Sequence, residues 1–192
     1  TQNSRIPKAN WKILNYSSEE TTKENGAAIN LIDGNYKTKW HTKYNGGNAP
    51  APHHITVDMG AEYEISGFLA MPRTDNSNSG TIRKYMFYVS QDGEDWKAAS
   101  GGTWLLYGTE IYFEPVKARY YKMVALEGDF ACIAEMEILK NTLEYTLSDV
   151  DMRYKINTSS KWELSSSVTI NLEDTLTMSP TSQDGGTWVV AT

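Results

Sequence analysis

The sequence predicts an all-β chain, a sandwich or barrel of short antiparallel strands. Three observations lead there. Apolar residues alternate with a period of two in segment after segment. Turn formers bound each of those segments. No stretch keeps a helical apolar period over the length of a long amphipathic helix.

The strands can be taken in order. "HITVDMG" sets Ile55, Val57 and Met59 against His54, Thr56 and Asp58, the pattern of a half-buried strand. "YEISGFLAMP", "RKYMFYVS", "GTEIYFEP", "RYYKMVAL" and "ACIAEMEIL" follow, separated by "MG", "DNSNSG", "QDGEDW", "SGG" and "EGD". "YMFYVS" is apolar at successive positions, so it reads as central and covered on both faces. Near Asn141 the composition turns rich in Ser and Thr, and "SKWELS", "VTINLEDTLTMSP" and "GGTWVVAT" read as further short strands. These observations divide the chain into residues 1–140 and a small β module over 141–192. About fifty residues make little independent core. The last strand runs out without a closing turn, so the module is expected to be incomplete.

Composition excludes several functions. The net charge is −6 and Lys and Arg form no cluster. Nucleic acids and anionic membranes both demand a concentrated basic patch. No segment is long and apolar enough to span a bilayer as a helix. A single cysteine, Cys132, cannot form an internal disulfide, and its apolar setting predicts a buried, inert thiol. Twelve tyrosines and six tryptophans are many for 192 residues. A β-rich core accounts for most of them, and sugar-binding surfaces use such rings too.

Five pieces stand in one order: "NGAAINLIDGNYKTKWHTKY", "HHITVDMG", "MPR", "YMFYVSQDGEDW" and "ACIAEMEIL". Over roughly residues 8 to 140 the chain resembles the factor V/VIII type C, or discoidin-like, domain, and among these the bacterial family 32 carbohydrate-binding modules. The resemblance implies an eight-stranded antiparallel jelly-roll sandwich. Eukaryotic discoidins usually close with a disulfide, and membrane-binding ones carry apolar loop tips. This chain has one cysteine and polar loops, "HTKYNGGNAPAP" and "RTDNSNSGT", which favours the sugar-binding branch. The tail, "KWELSSSVTINLEDTLTMSPTSQDGGTW", resembles a small immunoglobulin-like module of Bacteroidetes carbohydrate-active proteins. It departs from that pattern after "GGTW".

Read alone, "NLIDGNYKT" is a turn around Asp-Gly. It also offers hard oxygen donors of the kind calcium takes. The resemblance implies a structural calcium held by the side chains of Asp33, Thr38 and Glu135 and by backbone oxygens of Asn30, Asn35 and Ala134. Such an ion ties the loop to the last strand of the domain and stiffens the scaffold. Zinc is disfavoured, because His53 and His54 are neighbours on a strand and point to opposite faces.

"WHTKYN" packs Trp40, His41 and Tyr44 beside Lys43. A pyranose has an apolar C–H face and a rim of hydroxyls, so its binder needs a ring and a few fixed polar groups. Galactose-binding relatives use a Glu before the DG loop, the His after the Trp, an aromatic three residues later and the Arg of a PR motif. By resemblance these are Glu24, His41, Tyr44 and Arg73; Phe130 adds a second ring and Asn78 a polar contact. Each has a plainer reading: solvated loop charges for Glu24 and Arg73, loop packing for Tyr44, a turn cap for His41. Trp40 is expected in the core, with His41 and Tyr44 facing out.

The sequence thus predicts a non-catalytic module that binds terminal galactose or N-acetylgalactosamine. It would be an accessory part of a glycan-processing protein outside the cytoplasm: extracellular, periplasmic or at the cell surface. Two other classes compete. A glycoside hydrolase needs two carboxylates flanking the bond; Glu24 with Asp33 or Asp75 is conceivable, but the resemblance assigns Asp33 to the metal. A protein- or lipid-adhesion domain would need apolar loop tips.

Overall fold

The computed structural model describes residues 2–146, 152–164, 167–180 and 188–191. Its strands are β1 (Gln2–Arg5), β2 (Lys12–Tyr16), β3 (Trp40–His41), β4 (His53–Met71), β5 (Lys84–Ser90), β6 (Lys97–Thr103), β7 (Glu110–Ala125), β8 (Cys132–Ile133) and β9 (Glu135–Thr146). Further along lie β10 (Met152–Ile156), β11 (Glu163–Leu164), β12 (Ser167–Asn171), β13 (Thr175–Pro180) and β14 (Trp188–Ala191). The helical element among the described residues is one 3-10 turn, Ala28–Ile32. The chain divides into two compact units: Arg5–Leu139, and Thr1–Ser4 with Lys140–Thr192.

In the larger unit the sheet order is β9-β4-β7-β5-β6, with β2 also on β4, while β3 and β8 form a separate pair. The ladders β4–β7, β7–β5, β5–β6, β2–β4 and β3–β8 are antiparallel. The alternation read from "HITVDMG" is present: Ile55, Val57 and Met59 are at most 1 % exposed. They join Phe68, Phe87, Tyr121, Met123, Met136 and Ile138 in one core. Phe68 stacks on Phe87 at 4.4 Å, and Trp11 meets Tyr121 edge-on at 5.6 Å. Each such side chain contributes about 1.5–3 kcal/mol by leaving water.

Four sequence readings need correction. "HHITVDMG" and "YEISGFLAMP" are halves of one strand, β4. Gly60, at φ +83°, bends the chain there, and the pairing with β7 shifts register between Asp58 and Tyr63 without ending. "GTEIYFEP" and "RYYKMVAL" likewise join as β7. Turn-forming residues marked bulges in these places and not boundaries. "ACIAEMEIL" goes the other way and splits: β8 pairs β3, then the backbone turns at Ala134, whose N–H donates to Met71 O at 2.9 Å, and β9 begins. Finally, β5 is internal to the sheet but buries one face. Tyr85, Phe87 and Val89 are buried, whereas Met86 and Tyr88 are half-exposed and the Lys122 ammonium lies 5.9 Å over the Tyr88 ring.

The smaller unit has its own modest core. Val168, Ile170 and Leu176 are buried, and Tyr154, Ile156 and Met178 pack on them. Strands β11-β10-β13-β14 form one antiparallel sheet, and β12 pairs the end of β9. The cations of Arg153 and Lys155 lie 4.6 and 4.9 Å from the Trp162 ring centroid. The start of the "GGTW" run, residues 185–187, lies outside the described residues.

Candidate functional site

The site is built on a buried carboxylate that sequence reasoning passed over. Glu20 is 1 % exposed and accepts four backbone N–H groups: Thr22 at 2.9 Å, Lys23 at 3.1 Å, Tyr44 at 3.0 Å and Asn45 at 2.7 Å. It thereby fixes the loop that carries Tyr44. Its own N–H donates to His41 O at 2.8 Å, and the His41 N–H donates to Gly26 O at 3.1 Å. Gly26 is required there, since a Cβ would sit 2.9 Å from Glu20 O and 3.0 Å from the His41 Cβ. Thr42 ties the same loop to the segment bearing Phe130: its N–H donates to Ala131 O at 3.0 Å and its Oγ1 accepts the Ala131 N–H at 2.9 Å.

The N–H donors of Asn45 and Tyr44 lead in holding the Glu20 carboxyl at about 2, against an ordinary value of 4.5. The folded value lies below the unfolded one, so this stabilisation is complete above about pH 4.5 and is lost as pH falls toward 2. Glu20→Gln is therefore expected to lower the melting temperature at pH 7. The gap from the parent should close near pH 2, and an equal gap at both pH values would contradict this role.

The predicted ligand residues meet above this frame. His41, Tyr44 and Phe130 form a triangle of rings, with centroids 5.2, 5.6 and 6.1 Å apart. The Tyr44 hydroxyl donates to Glu24 Oε1 at 3.3 Å. Glu24 continues into a ladder of charges: its Oε2 takes the Lys39 ammonium at 2.7 Å, Lys39 reaches Asp75 at 3.2 Å, and Arg73 Nε donates to Asp75 at 2.6 Å. Arg73 also donates through Nη2 to Asp75 at 2.8 Å and through Nη1 to Ser79 O at 2.9 Å. The Arg73 guanidinium holds Asp75 far below the usual carboxylate range. Three of the five guanidinium N–H groups are thus spent on positioning, which leaves two for a ligand. Asn78 lines a hollow of about 210 Å³ together with Arg73. It also lines a larger one beside Phe130.

Trp40 is 1 % exposed, its Nε1–H donating to Ser18 O at 3.0 Å, which is the core position expected. His41 does not face out as expected: it too is 1 % exposed, because the Tyr44 and Phe130 rings cover it. Its Nδ1 lies 2.7 Å from Thr42 O, which can only accept, so Nδ1 carries the proton. Burial first of all lowers the His41 pKa below 6.5, so the ring is neutral at pH 7 and Nε2 is an acceptor. Lys39, like Glu20, was missed, and Asp75 was named only as a carboxylate of the competing hydrolase reading. Asp75 sits two residues after Arg73, a spacing that pairs them locally, whereas the partners of Lys39, and two of the four that Glu20 takes, come from segments distant in sequence.

The residues of the proposed metal loop also gather. Asp33 accepts the Asn35 N–H at 2.8 Å and the Thr38 hydroxyl at 2.6 Å, and Thr38 Oγ1 is 2.8 Å from Asn35 O. Gly34, at φ +75°, donates its N–H to Glu135 Oε2 at 3.0 Å, joining the loop to β9. Glu135 and Ala134 are fully buried. The buried Asn30 amide donates to Asn25 O at 3.0 Å and Lys39 O at 2.9 Å, so its side chain braces the loop. The Lys8 ammonium lies against Glu135 and 3.1 Å from Glu137. Even so, burial pushes the Glu135 carboxyl up to about 7, and the neighbouring Asp33 and Glu137 carboxylates add to the rise. Carboxylate, hydroxyl and carbonyl oxygens fit a hard cation. Among the described residues no group of three His, Cys, Asp or Glu side chains is placed to hold a metal ion. His53 is spent structurally, its Nε2 lying 2.8 Å from Gly128 O. Cys132 is buried as expected, and burial lifts its thiol to about 12.

The family model of the F5/8 type C domain matches residues 14–137. The chain belongs to the F5/8 type C family. This F5/8 type C chain is 38 % identical over 141 residues to a sialidase of Micromonospora viridifaciens, covering 69 % of this chain and 22 % of the sialidase. It thus spans about a fifth of that curated relative. Among solved structures it is similar to CpGH89CBM32-5 from Clostridium perfringens in complex with GalNAc-β-1,3-galactose. There the TM-score is 0.64 and the identity 38 %, over 71 % of this chain and 99 % of that one. The family 32 CBM of Clostridium perfringens NanJ, in complex with galactose, aligns with TM-score 0.62 and 30 % identity over 71 % of this chain and 98 % of that one. The F5/8 type C unit therefore has the antiparallel jelly-roll fold of these modules.

Proposed function

We propose that the F5/8 type C unit binds a terminal galactose or N-acetylgalactosamine without catalysing its cleavage. The observation that carries this reading is the His41, Tyr44 and Phe130 ring cluster with Glu24 and Arg73 at its rim. The C–H face of the sugar stacks on Tyr44 and Phe130. The two uncommitted Arg73 N–H groups donate to ring hydroxyls, and neutral His41 Nε2 and Glu24 accept from them. An axial 4-hydroxyl satisfies these groups; an equatorial one leaves buried polar atoms unpaired, the stronger kind of discrimination. Asn78 supplies a polar contact from the neighbouring wall. The complexes of the two Clostridium perfringens modules with GalNAc-β-1,3-galactose and galactose support the ligand class.

Calcium is proposed in the loop of Asp33, Asn35 and Thr38, with Glu135 and the backbone of Asn30 and Ala134 completing the donors. The ion would supply a structural cross-link and no chemistry. The sialidase relative supports an accessory role within a larger glycan-processing protein outside the cytoplasm. A glycan-array screen tests the reading: signal is expected on structures ending in galactose or N-acetylgalactosamine, and signal confined to glucans would overturn it.

A further inference from the structure

Beside Phe130 lies a second concavity, of about 720 Å³, walled by Asn78, Arg83, Trp104 and Asp129. Its volume falls within the range of small-molecule clefts, and the site described above shares only its edge, through Asn78 and Phe130. Trp104 is its most unusual member. Its backbone sits at φ +64°, a region that bulky residues rarely enter, and the side chain is 55 % exposed. The conformation is held from both sides of the residue. The Trp104 N–H donates to Arg83 O and the Leu105 N–H to Ile82 O at 2.9 Å. The Arg83 guanidinium lies 5.8 Å from the indole centroid. Arg83 makes no ion pair among the described residues, and the Asp129 carboxylate is likewise uncommitted there. The cleft thus offers an outward-held ring, a free fork of donors and a free acceptor, side by side.

We infer that this cleft is a second subsite that takes the next pyranose of a neutral glycan whose terminal galactose sits on Tyr44 and Phe130. The proposal rests on the galactose reading of the first site. Continuity argues for it, because Phe130 and Asn78 line the cleft and also belong to the first site. The chemistry argues for a sugar: an exposed indole stacks on a C–H face, and one cation with one anion serves hydroxyls of either polarity. A ligand of strong single charge would leave one of the two opposed.

Calorimetry on the full chain tests this, using galactose, lactose, N-acetyllactosamine and galactosyl-β-1,3-N-acetylgalactosamine. At least one disaccharide is expected to bind fivefold or more tighter than galactose. Trp104→Ala should bring that disaccharide to within twofold of galactose and leave galactose itself unchanged within twofold. Asp129→Ala, on an exposed loop, should halve the gain or more, and it serves alone if the Trp104 variant fails to fold. Galactose binding with no gain for any disaccharide would overturn the subsite and leave the first site standing. A gain that survives both substitutions would do the same. No binding of galactose by the parent protein would remove the first reading and this one with it.

Discussion

Arg73→Ala is expected to abolish measurable galactose binding while leaving the domain folded. Shallow sugar sites of this kind bind weakly, on the order of 0.1–1 mM, or roughly −4 to −5.5 kcal/mol. A hydrogen bond to a charged group contributes about 1.5–3 kcal/mol, so losing the guanidinium moves the dissociation constant beyond roughly 10 mM. Arg73→Lys should fail nearly as badly. The ammonium cannot hold Asp75 with two N–H groups, donate to Ser79 O and still present two N–H groups to a ligand. Tyr44→Ala removes the stacking ring and uncovers His41, and should also bring binding below detection. In the parent protein binding should hold steady above pH 6.5 and weaken below it, as His41 gains a proton and Nε2 ceases to accept. Thermal melts of each variant, compared with heteronuclear spectra, separate lost contacts from lost fold. Full binding by both Arg73→Ala and Tyr44→Ala would place the ligand elsewhere.

Removal of calcium is the second large effect expected. An ion that binds only the native state stabilises it by mass action, about 2.7 kcal/mol at a hundredfold excess over its dissociation constant. At about 2–4 °C per kcal/mol for a chain of this size, chelation should lower the melting temperature by roughly 5–10 °C. Asp33→Ala should abolish the difference between chelated and calcium-loaded protein, because Asp33 joins the Asn35 and Thr38 sides of the loop. An unchanged melting temperature on chelation, with no bound ion by elemental analysis, would dismiss the metal.

Much of the fold was legible because strand periodicity is local. Ile55, Val57 and Met59 announce their burial by alternation alone. Strand ends were read less well, since Gly60 marks a bend within β4 and the apolar run at 131–139 changes partners at Ala134. At the candidate site, Glu24, His41, Tyr44 and Arg73 were named from the family resemblance, which places them at set offsets from short motifs. The residues that position them were invisible for a physical reason. Glu20 serves two separate loop segments through four N–H groups, and Lys39 bridges Glu24 and Asp75. Those partners come together only once the loops have folded. The burial of His41 was missed similarly, because the covering ring of Phe130 comes from a segment far along the chain.

The most direct test of the central claim is a titration of galactose and glucose followed by amide and indole chemical shifts. Galactose should shift resonances at Glu24, His41, Tyr44, Arg73 and Phe130 along a saturating curve, and glucose should leave them in place. Equal response to both sugars, or shifts that map away from these residues, would contradict the site.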